Sequence, residues 1–284
     1  MLWADKLAFI AAMMLLVIVL LALFGPYFLE DMASKQNLRA RNLPPFDLGR
    51  GVFGILGADQ LGRPLLPRIV LAAQNTLLVA SGAVLCSMII GATLGLIAGY
   101  TRAGLSQVIM RIADIIMSFP SLLLAVIVLY MLKPSVTNLI IVLAITRIPV
   151  YLRTTRAEVL EIRERMFVQA AKVMGASTKR IIFRHVLPMV LPTLLTIATL
   201  DFAYVMLAES SLSFLGIGIQ PPEVTWGLMV SQGRPYLIKA WWLCFWPGLA
   251  IVLTTLSLNI LSNWLRVALD PAQRWRLEKG MVHE

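Results

Sequence analysis

Between Ile69 and Tyr100 the chain runs for 32 residues without one Asp, Glu, Lys or Arg. A window of about 18 apolar residues already reads as membrane-spanning, because roughly 20 helical residues cross the hydrocarbon core. Part of this run must therefore lie outside the core. Similar runs recur, in a chain of 284 residues that is 59% hydrophobic and 14% charged. Leu7–Phe24 follows a short polar start with Lys6, has no small-residue cleavage site, and is closed by Gly25-Pro26, which reads as a retained anchor. Ile115–Leu132 is reached through Asp114, and Val136–Val150 carries Arg147 and Pro149. Val186–Leu207 has Pro188 and Pro192 near its start and Asp201 inside, and Trp241–Leu265 opens on Trp241, Trp242 and Trp246, an expected interfacial aromatic belt. Backbone polar groups in lipid must be paired internally, and the alternation of a β-barrel is absent. The expected fold class is all-α: a polytopic membrane protein with six transmembrane helices.

Counting Lys and Arg between these spans sets an orientation. With the amino terminus cytoplasmic, the inner segments hold Lys6, Arg102, Arg111, nine residues from Arg147 to Arg184, then Arg266, Arg274, Arg276 and Lys279, which is 16 of 25. The outer segments hold Lys35, Arg39, Arg41, Arg50, Arg63, Arg68, Lys133, Arg234 and Lys239. The positive-inside bias predicts both termini in the cytoplasm. The formal charge of +10 follows the membrane boundaries. Lipid headgroups account for it, and no basic-aromatic face for nucleic acid is present. Cys86 and Cys244 fall in apolar helices, and His185 and His283 have no ligand-spaced companions, so neither a disulfide framework nor a metal site is indicated. Gly91, Gly95 and Gly99 repeat every four residues and predict close packing against another helix of this chain.

Tyr151–Pro188 interrupts the apolar pattern with charge. Val159, Ile162, Met166, Ala170 and Val173 recur at three- and four-residue steps, with Glu158, Glu161, Arg163, Glu164, Arg165 and Lys172 largely off that stripe. This predicts an amphipathic helix that stops at Gly175, after which Ser177 caps a second helix starting at Thr178. Composition leaves two roles open: an interfacial helix on the headgroups, or a docking element for a cytoplasmic partner.

The residues resemble a known family at this point. Gln169-Ala170-Ala171, three residues, Gly175, nine residues, His185, then Leu187-Pro188 is similar to the EAA signature of permease subunits of ATP-binding-cassette importers. Gln169 stands for the usual Glu and His185 for the usual Ile. Leu56–Arg63 resembles the GTDxxGRD element of C-type dipeptide, oligopeptide and nickel permeases, with Pro64 and Pro67 replacing Asp and Ser. Ser118–Leu123 after Asp114, the stretch Glu209–Gly218 with Pro221-Pro222, Trp226-Gly227 and Gly233-Arg234, and the ending Leu265–Pro271 are also similar, although Ser262-Asn263 stands for Gly-Asp.

The resemblance implies a type I ABC importer (MetI-like) permease fold, divided as 1–72 (first helix and external loop), 73–265 (transmembrane domain, with coupling segment 151–188) and 266–284 (cytoplasmic tail). It implies a bacterial inner-membrane subunit that pairs with a homologous B-type permease, two ABC ATPase subunits and an extracytoplasmic substrate-binding protein. ATP and Mg would belong to the ATPases, since no GxxxxGK[ST] loop occurs in this chain. The contact would involve Arg165, Met166, Phe167, Gln169, Ala170, Ala171, Lys172, Gly175, Ala176, Ser177 and Thr178.

Asp201, Met206, Glu209 and Ser210 are the pore or gate candidates. An importer driven by ATP needs no proton carboxylate, so Asp201 and Glu209 are read first as buried hydrogen-bonding anchors. Asp114 is expected to be solvated or paired with Arg111 or Arg102. The competing class is a proton-coupled secondary transporter using Asp201 or Glu209. An intramembrane enzyme would need paired catalytic residues, and none are present.

Overall fold

The first helix, α1 (Lys6–Ser34), starts where the Asp5 side chain accepts from the Ala8 N–H at 3.1 Å. The computed structural model describes residues 5–101, 103–133 and 135–269. Arg102, Asp270-Pro271 of the terminal motif, Arg274, Arg276, Lys279 and His283 lie outside that set, as does most of the expected tail. α1 does not close at Gly25-Pro26 as the sequence predicts; it carries Pro26 inside and runs on to Ser34, 29 residues in all. Proline removes one ladder bond, which a helix in lipid tolerates more readily than losing its remaining pairs.

α2 (Leu65–Tyr100) has 36 residues and is about 54 Å long at 1.5 Å per residue, well beyond the hydrocarbon thickness. The Ile69–Tyr100 run is one helix that stands out of the core, as its length requires. The expected third span is not continuous. It is α3 (Ala103–Met117) and α4 (Ser121–Met131), bent by 86° across Ser118-Phe119-Pro120. Pro120 cannot donate to a ladder and biases Phe119 away from helical backbone, and this breaks the run. α5 (Val136–Ile162) passes through Pro149 and exceeds the Val136–Val150 expectation by more than three turns. After the Gly175 region come α8 (Leu187–Phe214), the short α9 (Trp226–Gly233) and α10 (Trp242–Leu269). Among the described residues five helices are long and apolar enough to cross a membrane, and there are six spans if the bent α3–α4 pair is counted as one.

α2 and α5 lie parallel along the glycine stripe. A Cβ on Gly91 would stand 2.6 Å from Tyr151 Cβ, and one on Gly95 2.5 Å from Thr155 Cβ; Gly99 faces Val159. The pairs advance together along both helices, and the stripe packs within the chain as expected. Around it a large core joins Val79, Ala83, Leu139, Leu143, Met206 and Leu212 with Trp226 and Trp242. A second core gathers Ala92, Leu96, Tyr151, Val159 and Ile162 with residues of the Gly175 region. The expected aromatic belt is partial. Trp241 is 47% exposed, but Trp242 is buried, and a Cβ on Gly57 would meet its ring at 2.9 Å.

The segment between α1 and α2 is organised by one carboxylate. Asp59 Oδ1 accepts from the Leu61 and Arg63 N–H groups, both at 2.8 Å, while Oδ2 accepts from Arg63 Nε at 2.7 Å and Arg68 Nη1 at 2.9 Å. Asp59 and Arg68 are both buried. This knot fixes the turn at Gly62, whose φ of 71° suits glycine, to the first turns of α2.

Candidate functional site

α5 ends at Ile162, and the chain turns through Arg163–Arg165 into α6 (Met166–Val173). The Arg163 guanidinium reaches back to the Gly99 carbonyl at 3.0 Å, and Gln169 Nε2 donates to the Arg163 carbonyl at 3.0 Å. Together these bonds fix the turn to the end of α2, so the Gln169 amide serves the corner itself.

α6 stops as the sequence predicts. Gly175 has φ 81°; its N–H donates to the Lys172 carbonyl at 3.0 Å and the Ala176 N–H to the Ala171 carbonyl at 3.0 Å. This is a Schellman closure, in which a left-handed residue past the helix end lets two following N–H groups satisfy orphan carbonyls. Ser177 Oγ then accepts from the Arg180 N–H at 3.4 Å, opening α7 (Thr178–Ile181). A wide turn over Ile182–Val186 leads into α8, with the Leu187 N–H donating to the Ile182 carbonyl. Pro188 has no N–H for the Arg184 carbonyl and its ring would crowd it, a conflict that a five-residue turn relieves.

The predicted single amphipathic helix is a correction. Val159 and Ile162 are buried, as expected, but the turn at Arg163–Arg165 resets the register, and Val168 and Ala171 become the buried pair of α6. Met166 is 88% exposed and Val173 89%, with Met174, Phe167 and Ala170 also exposed. Beneath them Val168, Ala171, Ile181 and Val186 pack with Val159, Ile162, Val190 and Leu194. The region is thus a rigid corner seated on the ends of α2, α5 and α8, with an apolar rim turned away from the chain. Arg165 pairs with Glu161 at 2.8 Å and Arg163 with Glu164 at 3.0 Å, both at the surface. Lys172, Ser177 and Thr178 are exposed and Ala176 is half-buried.

The pore or gate candidates lie elsewhere, on α8. Met206 and Glu209 are fully buried within the chain. Glu209 accepts from Ser213 Oγ at 2.7 Å and Ser210 Oγ at 3.3 Å, and half-buried Ser210 adjoins it. Asp201, 4% exposed, forms a two-point pair with Arg147: Nε donates to Oδ2 at 3.1 Å and Nη2 to Oδ1. The Arg147 guanidinium lies 4.4 Å above the Tyr204 ring, and Tyr204 Oη and Ser121 Oγ share a hydrogen bond of 2.8 Å. Sequence reasoning had Asp201 but missed Arg147, Tyr204 and Ser121 as its company; the available signal was one arginine inside a predicted span. Asp114 is partly exposed, in keeping with the solvated alternative, but its ion-pair partner is a correction. Its partner is Arg153, at 2.5 Å, rather than a residue near it in sequence, because the bend of the third span lays α3 across α5. Among the described residues no group of three His, Cys, Asp or Glu side chains is placed to hold a metal ion.

Known proteins share both sequence and fold with this chain. Residues 91–275 match the family described as binding-protein-dependent transport system inner membrane component, and residues 1–45 match the N-terminal transmembrane domain of oligopeptide transport permease C. A di/tripeptide transport system permease protein of Pseudomonas aeruginosa is 41% identical over 259 residues, covering 90% of this chain and 85% of the relative. A putative peptide transport system permease protein of Brucella suis is 39% identical over 262 residues, covering 92% and 86%. In structure the chain is similar to one from inward-facing conformations of the MetNI methionine ABC transporter. The TM-score is 0.61 at 19% identity, over 73% of this chain and 98% of the other, a likeness of fold.

Proposed function

The chain belongs to the family of inner-membrane components of binding-protein-dependent transport systems, and from that premise we propose that it forms half of a peptide-conducting pore driven through the corner around Gly175. The protein is a multi-pass ABC importer permease of the bacterial inner membrane. Peptide is the proposed cargo because relatives at 39–41% identity are named for peptides and di/tripeptides. A homologous B-type permease completes the pore, two ATPases carrying ATP and Mg bind at the Gly175 end, and an extracytoplasmic binding protein delivers the solute. Both termini then lie in the cytoplasm, in keeping with the positive-inside count. The proton-coupled alternative finds no support: Asp201 is paired with Arg147, and the family is fed by binding proteins.

One observation carries the coupling role: Met166, Val173 and Met174 stand at 80% exposure or more on a corner whose backbone is braced by hydrogen bonds at both ends of α6. A lever needs a stiff base tied to several spans, so that a partner's closure moves them as bodies. Apolar anchors at the rim, with Arg165 and Lys172 beside them for steering, suit a protein groove. In the test, the tagged chain is purified from cells expressing the whole transport system. Copurification of a second permease and two ATPases supports the reading. Normal assembly and ATP-dependent uptake after deletion of 165–178 would sink it.

A further inference from the structure

Arg147 stands in the apolar stretch of α5, 11 residues or about 16 Å along the axis from Val136. An ion pair there has to be explained. Replacing a buried pair with apolar residues of similar volume is often neutral or stabilising, so stability alone does not account for Arg147 and Asp201. Nor is the pair sealed, because 18% of the Arg147 side chain is accessible against 5% for Asp201. Two of the guanidinium nitrogens hold Asp201, and Arg147 also lines a cavity of about 240 Å³, together with Ser121, Thr146 and mostly apolar neighbours that include Phe119 and Val150. That cavity lies against the Ser118-Phe119-Pro120 break. Non-helical backbone at membrane depth is tolerated where protein buries it or where it lines water, and Ser121, Thr146 and Arg147 give this otherwise apolar wall its polar groups.

We infer that Arg147, Asp201 and Tyr204 form a transient binding station for the charged ends of the peptide on its way through the pore. The inference rests on the reading of the chain as a peptide importer. A peptide carries a carboxylate and an ammonium group, which are the counter-charges of Arg147 and Asp201. The guanidinium fork matches a carboxylate, the Asp201 carboxylate accepts from an ammonium, and the Tyr204 face attracts a cation. A zwitterion entering the pair exchanges one ion pair for two without changing the net charge. The cavity is smaller than those that enclose drug-sized ligands, which suits one end of a peptide. Contact that is easily exchanged also suits conduction, where a solute must be held well enough to enter and weakly enough to leave.

The test uses the complete transporter in liposomes with its binding protein and radiolabelled Ala-Ala. A photo-reactive phenylalanine in place of Val150 is expected to cross-link the dipeptide only when ATP is supplied. The same group in place of Ile127, which is exposed on α4 away from the cavity, is expected to give none. Arg147→Met with Asp201→Leu keeps the site neutral and packed, and is expected to lower the uptake rate at saturating binding protein by about tenfold or more and to abolish the Val150 cross-link. A purely structural pair would lower uptake without cross-linking at Val150. Uptake by the unaltered complex without that cross-link, or undiminished uptake by the double variant, overturns the station alone. No ATP-dependent uptake of Ala-Ala by the unaltered complex overturns the peptide reading and the station with it.

Discussion

The two aqueous segments of this molecule treat charge in opposite ways. Between α1 and α2 one carboxylate turns inward: Asp59 is buried and accepts four hydrogen bonds, one of them from buried Arg68 at the start of α2, while Lys35, Arg39, Arg41 and Arg50 stay exposed. Around Gly175 the charged pairs lie at the surface, and apolar Met166, Val173 and Met174 stand outward. Water on its own would select neither arrangement. The first segment spends its polar groups on holding its own shape, while the second obtains its shape from backbone caps and a small core and leaves its rim for something else. A segment organised by a buried carboxylate serves as a scaffold; one organised by caps under an apolar rim fits the docking role proposed for it.

Substitutions at the two segments should separate these roles. The largest stability effect is expected from Asp59→Ala, which strands the buried Arg68 guanidinium and two N–H groups. Breaking a buried pair from one side costs about 3–5 kcal/mol. The yield of folded protein in detergent and its melting temperature should fall sharply, and a melting temperature within a degree of the unaltered chain would break the scaffold half of the contrast. Next in size is Gly175→Val. Its missing Cβ meets nothing, so the cost is that of left-handed backbone, about 1–2 kcal/mol. A small drop in melting temperature should accompany a large loss of ATP-dependent uptake.

Smaller still is the stability effect of Val173→Ser, expected within about 0.5 kcal/mol because the side chain is 89% exposed. Its expected signature is weakened retention of ATPase subunits during purification with melting unchanged. Arg165→Ala should do least to the fold. Its pair with Glu161 is about half exposed on one side and two-thirds on the other, and such pairs contribute about 0–1 kcal/mol. An effect of Arg165→Ala confined to ATPase binding in low salt would assign it to steering.

What the sequence disclosed follows the same division. Spans and the Gly175 bend were legible because uncharged length and a glycine after a periodic run are local signals. The glycine stripe was legible too, since a four-residue repeat fixes one face of one helix. Three things were not. The stripe from Val159 to Val173 looked continuous because Arg163–Arg165 contains no Gly or Pro, so the turn that exposes Met166 left no mark. The break at Ser118–Pro120 sat inside an apolar run whose hydropathy hid it, and it displaced the expected partner of Asp114 to Arg153. Arg147 was visible as an oddity in a span, but its pairing with Asp201, 54 positions away, depends on how α5 meets α8.

The contrast stands or falls on the rim. The direct measurement is copurification of ATPase subunits with a tagged chain carrying Met166→Ser, Val173→Ser and Met174→Ser together, expressed with the complete transport system. The second permease should be retained, the melting temperature should be close to that of the unaltered complex, and the ATPases should be lost. Full retention of the ATPases with normal ATP-dependent uptake would contradict the assignment of this corner as the coupling surface.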